Sequence, residues 1–346
     1  METILVLLHT EADGTLHKSA FEAIGAGREL AAALAGSTLA VGVMGGEVAA
    51  AAEAVGGCGA AKFFGVAGAD FAQPRYATDA LAAEAIARAA QATVVLAPAT
   101  SRFSRALPGV AHRLGGRIDT HCTSVAANGG ALSVVRWFYR QRLMGTLTRA
   151  QRPWVLTLES GSVAAWAGAP AKAAVEMLAV AAPDACRRTN VTGYQAPEGG
   201  EQTIRPDAEL LFVAGAGWTK TQRDGQAHAP EAETLILDFL RRSKASLGGS
   251  KSLVDLSGTG QAVLRFMTHL HQIGQTGATP RHAKGLATCC HGEEPHVVGW
   301  RFITERRAVN LDANCGWAQG KADVLYVADA FEVMRRLNAL LAEAGK

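Results

Sequence analysis

Short unbroken apolar runs alternate with longer alanine-rich stretches of helical spacing along the N-terminal part of the chain. Ile4-Leu5-Val6-Leu7-Leu8, Leu39-Ala40-Val41-Gly42-Val43 and Thr93-Val94-Val95-Leu96-Ala97 carry no charge and no apolar–polar alternation. A strand that is apolar on both sides must be covered on both faces, so these runs predict a parallel sheet between helical layers. Leu16 to Leu34 and Glu47 to Val55 have the spacing of the covering helices. Between Ser124 and Leu158 the rhythm changes: Ala131 to Phe138 and Trp154 to Leu158 read as strands with little helix between them. They predict an antiparallel edge added to the sheet.

From Pro183 to Pro206 periodicity fades while Gly, Pro, Asn and Gln accumulate, a linker composition. A second βα series follows. Leu210 to Ala214, Ser252 to Asp255, Gly285 to Cys290, Arg307 to Asn310 and Val324 to Val327 read as strands, and Glu231 to Ser246 and Asp329 to Ala344 as helices. Asp329 is the expected N-cap of the last helix, with Glu332 three positions on as in a capping box. The expected fold is α/β, with two doubly wound, mostly parallel sheets, the C-terminal one Rossmann-like. Residues 1–190 form an N-terminal scaffold domain, 191–206 a linker and 207–346 a smaller ligand-binding domain.

A chain of 346 residues can bury a core in each of two domains, and 49% hydrophobic against 19% charged residues suits a globular protein. A net charge of +3 with no basic stripe argues against nucleic acid as a partner. The Ala-rich stretches are broken by Gly and Glu well before the ~20 residues of a membrane span, so no direct membrane insertion is expected. Met1-Glu2-Thr3 lacks the basic and apolar regions of a signal peptide, and six scattered cysteines do not make a disulfide scaffold. A reducing, cytoplasmic compartment is expected.

No Walker A loop or G-x-S-x-G elbow is present. Gly215-Ala216-Gly217 and Gly258-Thr259-Gly260 are bare G-x-G pairs, each as readily a simple turn as a phosphate site. Gln272-Ile273-Gly274-Gln275-Thr276-Gly277 is more telling: its glycines let backbone approach a ligand while Gln and Thr offer donors. Leu247 to Ser252, Cys289 to His296, and Asn310 with Asp312 fall at strand edges of the same domain. Ligands of open α/β sheets bind at the carboxyl ends of strands. Adjacent Cys289 and Cys290 cannot both readily ligate one tetrahedral ion and no C-x-x-C is present, so no metal is expected.

The Gln272–Gly277 block resembles the Q-V-G-Q-T-G signature of electron-transfer flavoprotein alpha subunits. Gly249-Ser250-Lys251 is similar to that family's G-x-S-R segment, Arg307 to Asn310 to its V-A-I-N strand, and Asp329 to Val333 to its D-L-F-x-V helix start. His296 falls where the family's G-I-S-G-A-I-Q-H loop ends. In the first domain, Thr10 to Gly27 resembles the family's opening turn and helix, and Val95 to Thr100 with Arg105 to Leu114 its P-R-x-A-A-R-L region.

The resemblance implies FAD in the second domain and a separate beta subunit completing a heterodimer. It implies a flavin dehydrogenase as electron donor and a quinone reductase or iron–sulfur protein as acceptor. Thr276 would lie near flavin N5, Lys251 over the isoalloxazine, and His296 at the C2 carbonyl, where the negative charge of one-electron reduction collects. Gly217, Ser250, Ile273, Gly274, Gln275, His291, Pro295, Asn310 and Asp329 would hold the rest of the cofactor. Asp329 would bind a hydroxyl, since a carboxylate is a poor neighbour for phosphates.

The chain departs from that pattern at several positions. Gly217 replaces an arginine in the strand-end S-G-G-R-G, Lys251 replaces the flavin-facing arginine, and His291 replaces a loop serine. Lysine keeps the charge and loses the planar fork. These departures point to a divergent paralogue serving a dedicated dehydrogenase. They also keep open a redox-inactive nucleotide-binding module. An oxidoreductase with its own substrate has no acid–base pair in the sequence to support it.

Overall fold

The apolar run at the N-terminus becomes β1 (Thr3–His9), and its neighbours are parallel to it on both sides: β2 (Thr38–Gly45) and β4 (Val94–Pro98). The computed structural model describes residues 2–139, 143–193, 205, 208–255, 263–268, 271–273, 282–289 and 303–346. The chain divides into two units, Met1–Tyr194 and Gln195–Lys346.

In the first unit β3 (Lys62–Ala67), β5 (Arg117–Asn128), β6 (Ala131–Phe138), β7 (Leu143–Leu147), β8 (Trp154–Leu158) and β9 (Val175–Met177) complete a nine-stranded mixed sheet of order β7-β6-β5-β8-β4-β1-β2-β3-β9. Alternation along β1 sends its side chains to two cores. Ile4, Val6 and Leu8 pack beneath the helix Lys18–Ala33, while Leu5 and Leu7 face the helices Tyr76–Ala89 and Ser101–Arg113. Burial on both faces is what an unbroken apolar run demands.

The antiparallel extension consists of β5, β6 and β7, which pair as a meander. Trp154–Leu158 is not part of that edge. It lies inside the parallel region, between β4 and β5 and parallel to both. All five of its residues are buried, so this run needed cover on both faces rather than a place at the rim. The stretch just before the expected linker is tied to the first unit. Arg187 pairs with Asp70 (2.7 and 2.9 Å), and Arg75 donates to the Thr189 carbonyl (2.6 Å) and the Asn190 side chain (2.7 Å).

The second unit holds β10 (Leu210–Ala214), β11 (Ser246–Gly249), β12 (Lys284–Cys289), β13 (Glu305–Asn310) and β14 (Val324–Val327). They form a wholly parallel sheet of order β11-β10-β12-β13-β14. The helices Ala229–Ser243 and Ala330–Glu343 cover one face, and the helix Gly316–Lys321 packs on the other. The expected strand Ser252–Asp255 is instead the end of a short helix, Lys251–Asp255, and the strand precedes it at Ser246–Gly249. Gly248 and Gly249 are strand residues, and other side chains occupy the space of their missing Cβ atoms. A Cβ on Gly248 would come within 2.5 Å of Ile273, and one on Gly249 within 2.3 Å of Met267. Among the described residues no helix is long and apolar enough to cross a membrane.

Candidate functional site

Where the strand order of an open α/β sheet reverses about its first strand, the crevice at that point is where a ligand is received. In the first unit the reversal lies between β1 and β4, and the protein's own side chains close it. His9 Nε2 lies 2.9 Å from Thr100 Oγ1, and His9 Nδ1 lies 3.3 Å from the Thr10 carbonyl. The Thr10 hydroxyl fills the space a Cβ on Gly45 would need, 1.9 Å away. The Phe103 ring stands edge-on to the imidazole at 4.9 Å.

Burial, reinforced by the positive charge of Arg102, pushes the His9 imidazole down from 6.5 to about 4. The unfolded chain therefore takes up a proton below pH 6.5 that the folded one refuses until about pH 4. The stability that neutral His9 contributes is intact above pH 6.5 and is lost as pH falls through that window. Between pH 7 and pH 5 the loss is about 2 kcal/mol. Urea unfolding of wild type and His9→Gln at the two pH values checks this: the variant should lose most of the acid sensitivity, and equal slopes would refute it.

The second sheet reverses between β10 and β12, and its carboxyl edge gathers most of the described residues expected to bind a ligand. Ser250 follows β11 directly. It is fully buried, its N–H donates to the Ala214 carbonyl at the end of β10 (2.9 Å), and its hydroxyl accepts from Leu253 N–H (3.2 Å). Ser250 thus starts the helix in which Lys251 is the first residue. Gln272 pairs in parallel with Gly249, and Ile273 N–H donates to the Gly249 carbonyl (3.0 Å), so the Gln272 block enters alongside the end of β11. The Ile273 side chain is core, packed with Leu211, Val213 and Ala287. Its part at the edge is to seat the block.

Asn310 ends β13 with no exposed surface. Its Oδ1 accepts from Asp312 N–H (3.0 Å), while its Nδ2 has no hydrogen-bond partner among the described residues. A buried amide nitrogen without an acceptor costs on the order of 1–3 kcal/mol. The carboxyl edge of a doubly wound sheet, where this amide lies, is where such sheets receive ligands. Asp329 caps the last helix, its Oδ1 accepting from Phe331 N–H (2.8 Å) and Glu332 N–H (3.2 Å), as the capping pattern required. Gly217 is buried in the 3₁₀ turn Ala216–Thr219 after β10, where its carbonyl accepts from Lys220 N–H (3.3 Å) and Gln222 Nε2 (3.1 Å). Gly274, Gln275, Thr276, His291, Pro295 and His296 lie outside the described residues.

Two residues at this edge carry no signal in the sequence. Trp218 is fully buried and its indole N–H donates to Thr288 Oγ1 (2.8 Å), joining the turn after β10 to β12. A tryptophan beside a G-x-G and a threonine within an apolar strand each look like ordinary core residues. Their pairing across 70 positions is visible only in three dimensions.

Among the described residues the donor left over at this edge is the neutral amide of Asn310, which can give a hydrogen bond to a hydroxyl or phosphate oxygen. Residues 4–185 match the electron transfer flavoprotein domain. The chain is also similar to the electron transfer flavoprotein subunit alpha of Bradyrhizobium diazoefficiens, at 25% identity over 277 residues, covering 80% of this chain and 79% of that protein.

Proposed function

The chain belongs to the electron transfer flavoprotein family, and from that premise we propose that it is the FAD-binding alpha subunit of a heterodimeric electron carrier. The observation that carries the cofactor assignment is the buried Nδ2 of Asn310, which has no partner among the described residues, at the carboxyl edge of the parallel sheet beside the ends of β12 and β14. FAD, when bound, supplies reversible electron transfer, and the protein's part is to hold it and set its potential.

In this reading Asn310 donates to an oxygen of the cofactor, and Ser250 fixes where the Lys251 helix begins. Asp329, with one carboxylate oxygen spent on the helix N-terminus, accepts from a hydroxyl with the other. Gly217 lies in the turn after β10 and Ile273 is tied to the end of β11, and Gly274, Gln275 and Thr276 are assigned to the same cofactor. Lys251, Thr276 and His296 are assigned to the isoalloxazine, where a cation and two donors favour the reduced, more negative ring. His291 and Pro295 are assigned to the same cofactor.

The first unit, with its crevice filled by His9, Thr10 and Thr100, serves as scaffold and docking surface for a beta subunit. The exposed Tyr139, Leu143 and Met144 at the β6–β7 edge support that role. A flavin dehydrogenase is the donor and a quinone reductase or iron–sulfur protein the acceptor, all in the cytoplasm.

The full chain co-produced with its beta subunit should purify yellow, with one FAD released per heterodimer on denaturation. A colourless preparation that takes up no added FAD sinks the proposal in favour of a redox-inactive module. Asn310→Asp keeps the acceptor for Asp312 N–H and removes the donor. It should weaken FAD binding about tenfold in equilibrium dialysis, and an unchanged dissociation constant would remove Asn310 from the site.

A further inference from the structure

Trp218 stands where the walls of the second sheet's carboxyl edge meet. Its indole N–H donates to Thr288 Oγ1 (2.8 Å), and the Thr288 hydroxyl in turn donates to the Val213 carbonyl (3.1 Å). Gly215 N–H donates to the Thr288 carbonyl (2.8 Å), so the ends of β10 and β12 are fastened by backbone and side chain at the same residue. The indole packs on Phe331, ring centroids 4.7 Å apart at 58°. The N–H of that same Phe331 is held by Asp329. The turn Ala216–Thr219 also touches the helices Lys251–Asp255 and Ala229–Ser243. One side chain therefore contacts the end of β12 and the start of the last helix, and its turn contacts the segment that carries Lys251.

A tryptophan kept only for its apolar bulk needs any nearby acceptor for its N–H. Here the acceptor is a fully buried hydroxyl that is itself committed to a carbonyl of the opposite strand. Such a chain, out of water, tolerates little change in spacing, and breaking it strands a polar group. All of it sits at the switch point where a ligand would rest.

We infer that Trp218 and Thr288 are positioning residues for the cofactor. Their indole–hydroxyl lock sets the gap between the ends of β10 and β12 and the N-terminus of the last helix, and with it how tightly the crevice grips a dinucleotide. The inference rests on the flavoprotein reading above.

Three variants of the full chain test it. Thr288→Val keeps nearly the side chain's shape and removes both hydroxyl bonds, Thr288→Ser restores the hydroxyl, and Trp218→Phe keeps an aromatic ring against Phe331 and removes the N–H. FAD dissociation constants come from equilibrium dialysis, visible circular dichroism reports the environment of bound flavin, and near-ultraviolet dichroism reports folding without ligand. Thr288→Val and Trp218→Phe should bind FAD about tenfold more weakly, or worse, with altered visible dichroism. Thr288→Ser should return both to within about twofold of wild type. A folded Thr288→Val with wild-type affinity and wild-type visible dichroism overturns the lock, and Trp218→Phe decides the matter in the same way should Thr288→Val not fold. A wild-type chain that takes up no FAD overturns the flavoprotein reading and this inference with it. Uptake by wild type with unaffected variants overturns this inference alone.

Discussion

Asp119→Ala should lower the stability of the N-terminal unit by about 3 kcal/mol, a large share of the 5–15 kcal/mol that holds an ordinary domain together. Asp119 is 1% exposed and accepts from Arg136 Nη1 (3.0 Å), from Nη2 (3.0 Å) and Nε of Arg149, and from Trp154 Nε1 (2.9 Å). Burial alone would push its carboxyl up, but the bonds from Arg149, Trp154 and Arg136 together outweigh that and hold it below the usual carboxylate range. Alanine leaves a fully buried indole N–H without an acceptor and two guanidinium groups without a counter-charge. Arg149, about a third exposed, can turn to water, which places the expected loss at the lower end of the range for a broken buried pair. The carboxylate sits where β5 joins β8, so the loss loosens the antiparallel extension from the parallel sheet. Urea midpoints for Asp119→Ala, with Asp13→Ala on the exposed turn as control, measure the effect. A loss under about 1 kcal/mol would show that the arginines recover their solvation and that the cluster contributes little.

The strands were largely legible because burial on both faces leaves an unbroken apolar run in the sequence. β1, β2 and β4 follow their apolar runs, and β10 and β14 coincide with theirs. The two misreadings have a common physical origin: a short apolar run does not announce its neighbours. Trp154–Leu158 is as apolar as a rim strand packed on a core would be, and only its pairing places it between β4 and β5. Ser252 to Asp255 reads as strand by composition, but Leu253 and Val254 face the core from one turn of helix, while the strand itself ends in two glycines against which Ile273 and Met267 pack.

Local chemistry in the site was legible where the residues that act together are neighbours in sequence. The capping of the last helix by Asp329 follows from its spacing to Glu332. The Asn310–Asp312 turn likewise spans two positions. Groups that meet through tertiary packing were not legible. The partners of Asp119 lie 17, 30 and 35 positions away, and Thr288 meets Trp218 across 70. No periodicity encodes such pairs. They arise because parallel strands bring distant segments into register at one edge, which is also why that edge can assemble a site from unrelated stretches of chain.

Saturating FAD should stabilise the unit Gln195–Lys346 by about 4 kcal/mol at a ligand concentration near a thousand times the dissociation constant, and leave Met1–Tyr194 unchanged. A ligand stabilises only what it binds in the folded state. The first unit's crevice is occupied by His9, Thr10 and Thr100, whereas in the second a buried amide has no acceptor among the described residues. The amides expected to slow most in hydrogen exchange are therefore those of residues 246–255, 284–289 and 305–310, the strand ends and the short helix that surround the crevice. Local opening of such edges is what ligand occupancy suppresses first. Peptides from β1 and β4 should exchange at the same rate with and without FAD. Equal protection in both units would place the cofactor elsewhere or make its effect a general one. Bound flavin with no added protection around Asn310 and Thr288 would mean that the carboxyl edge of the parallel sheet is not where the dinucleotide rests.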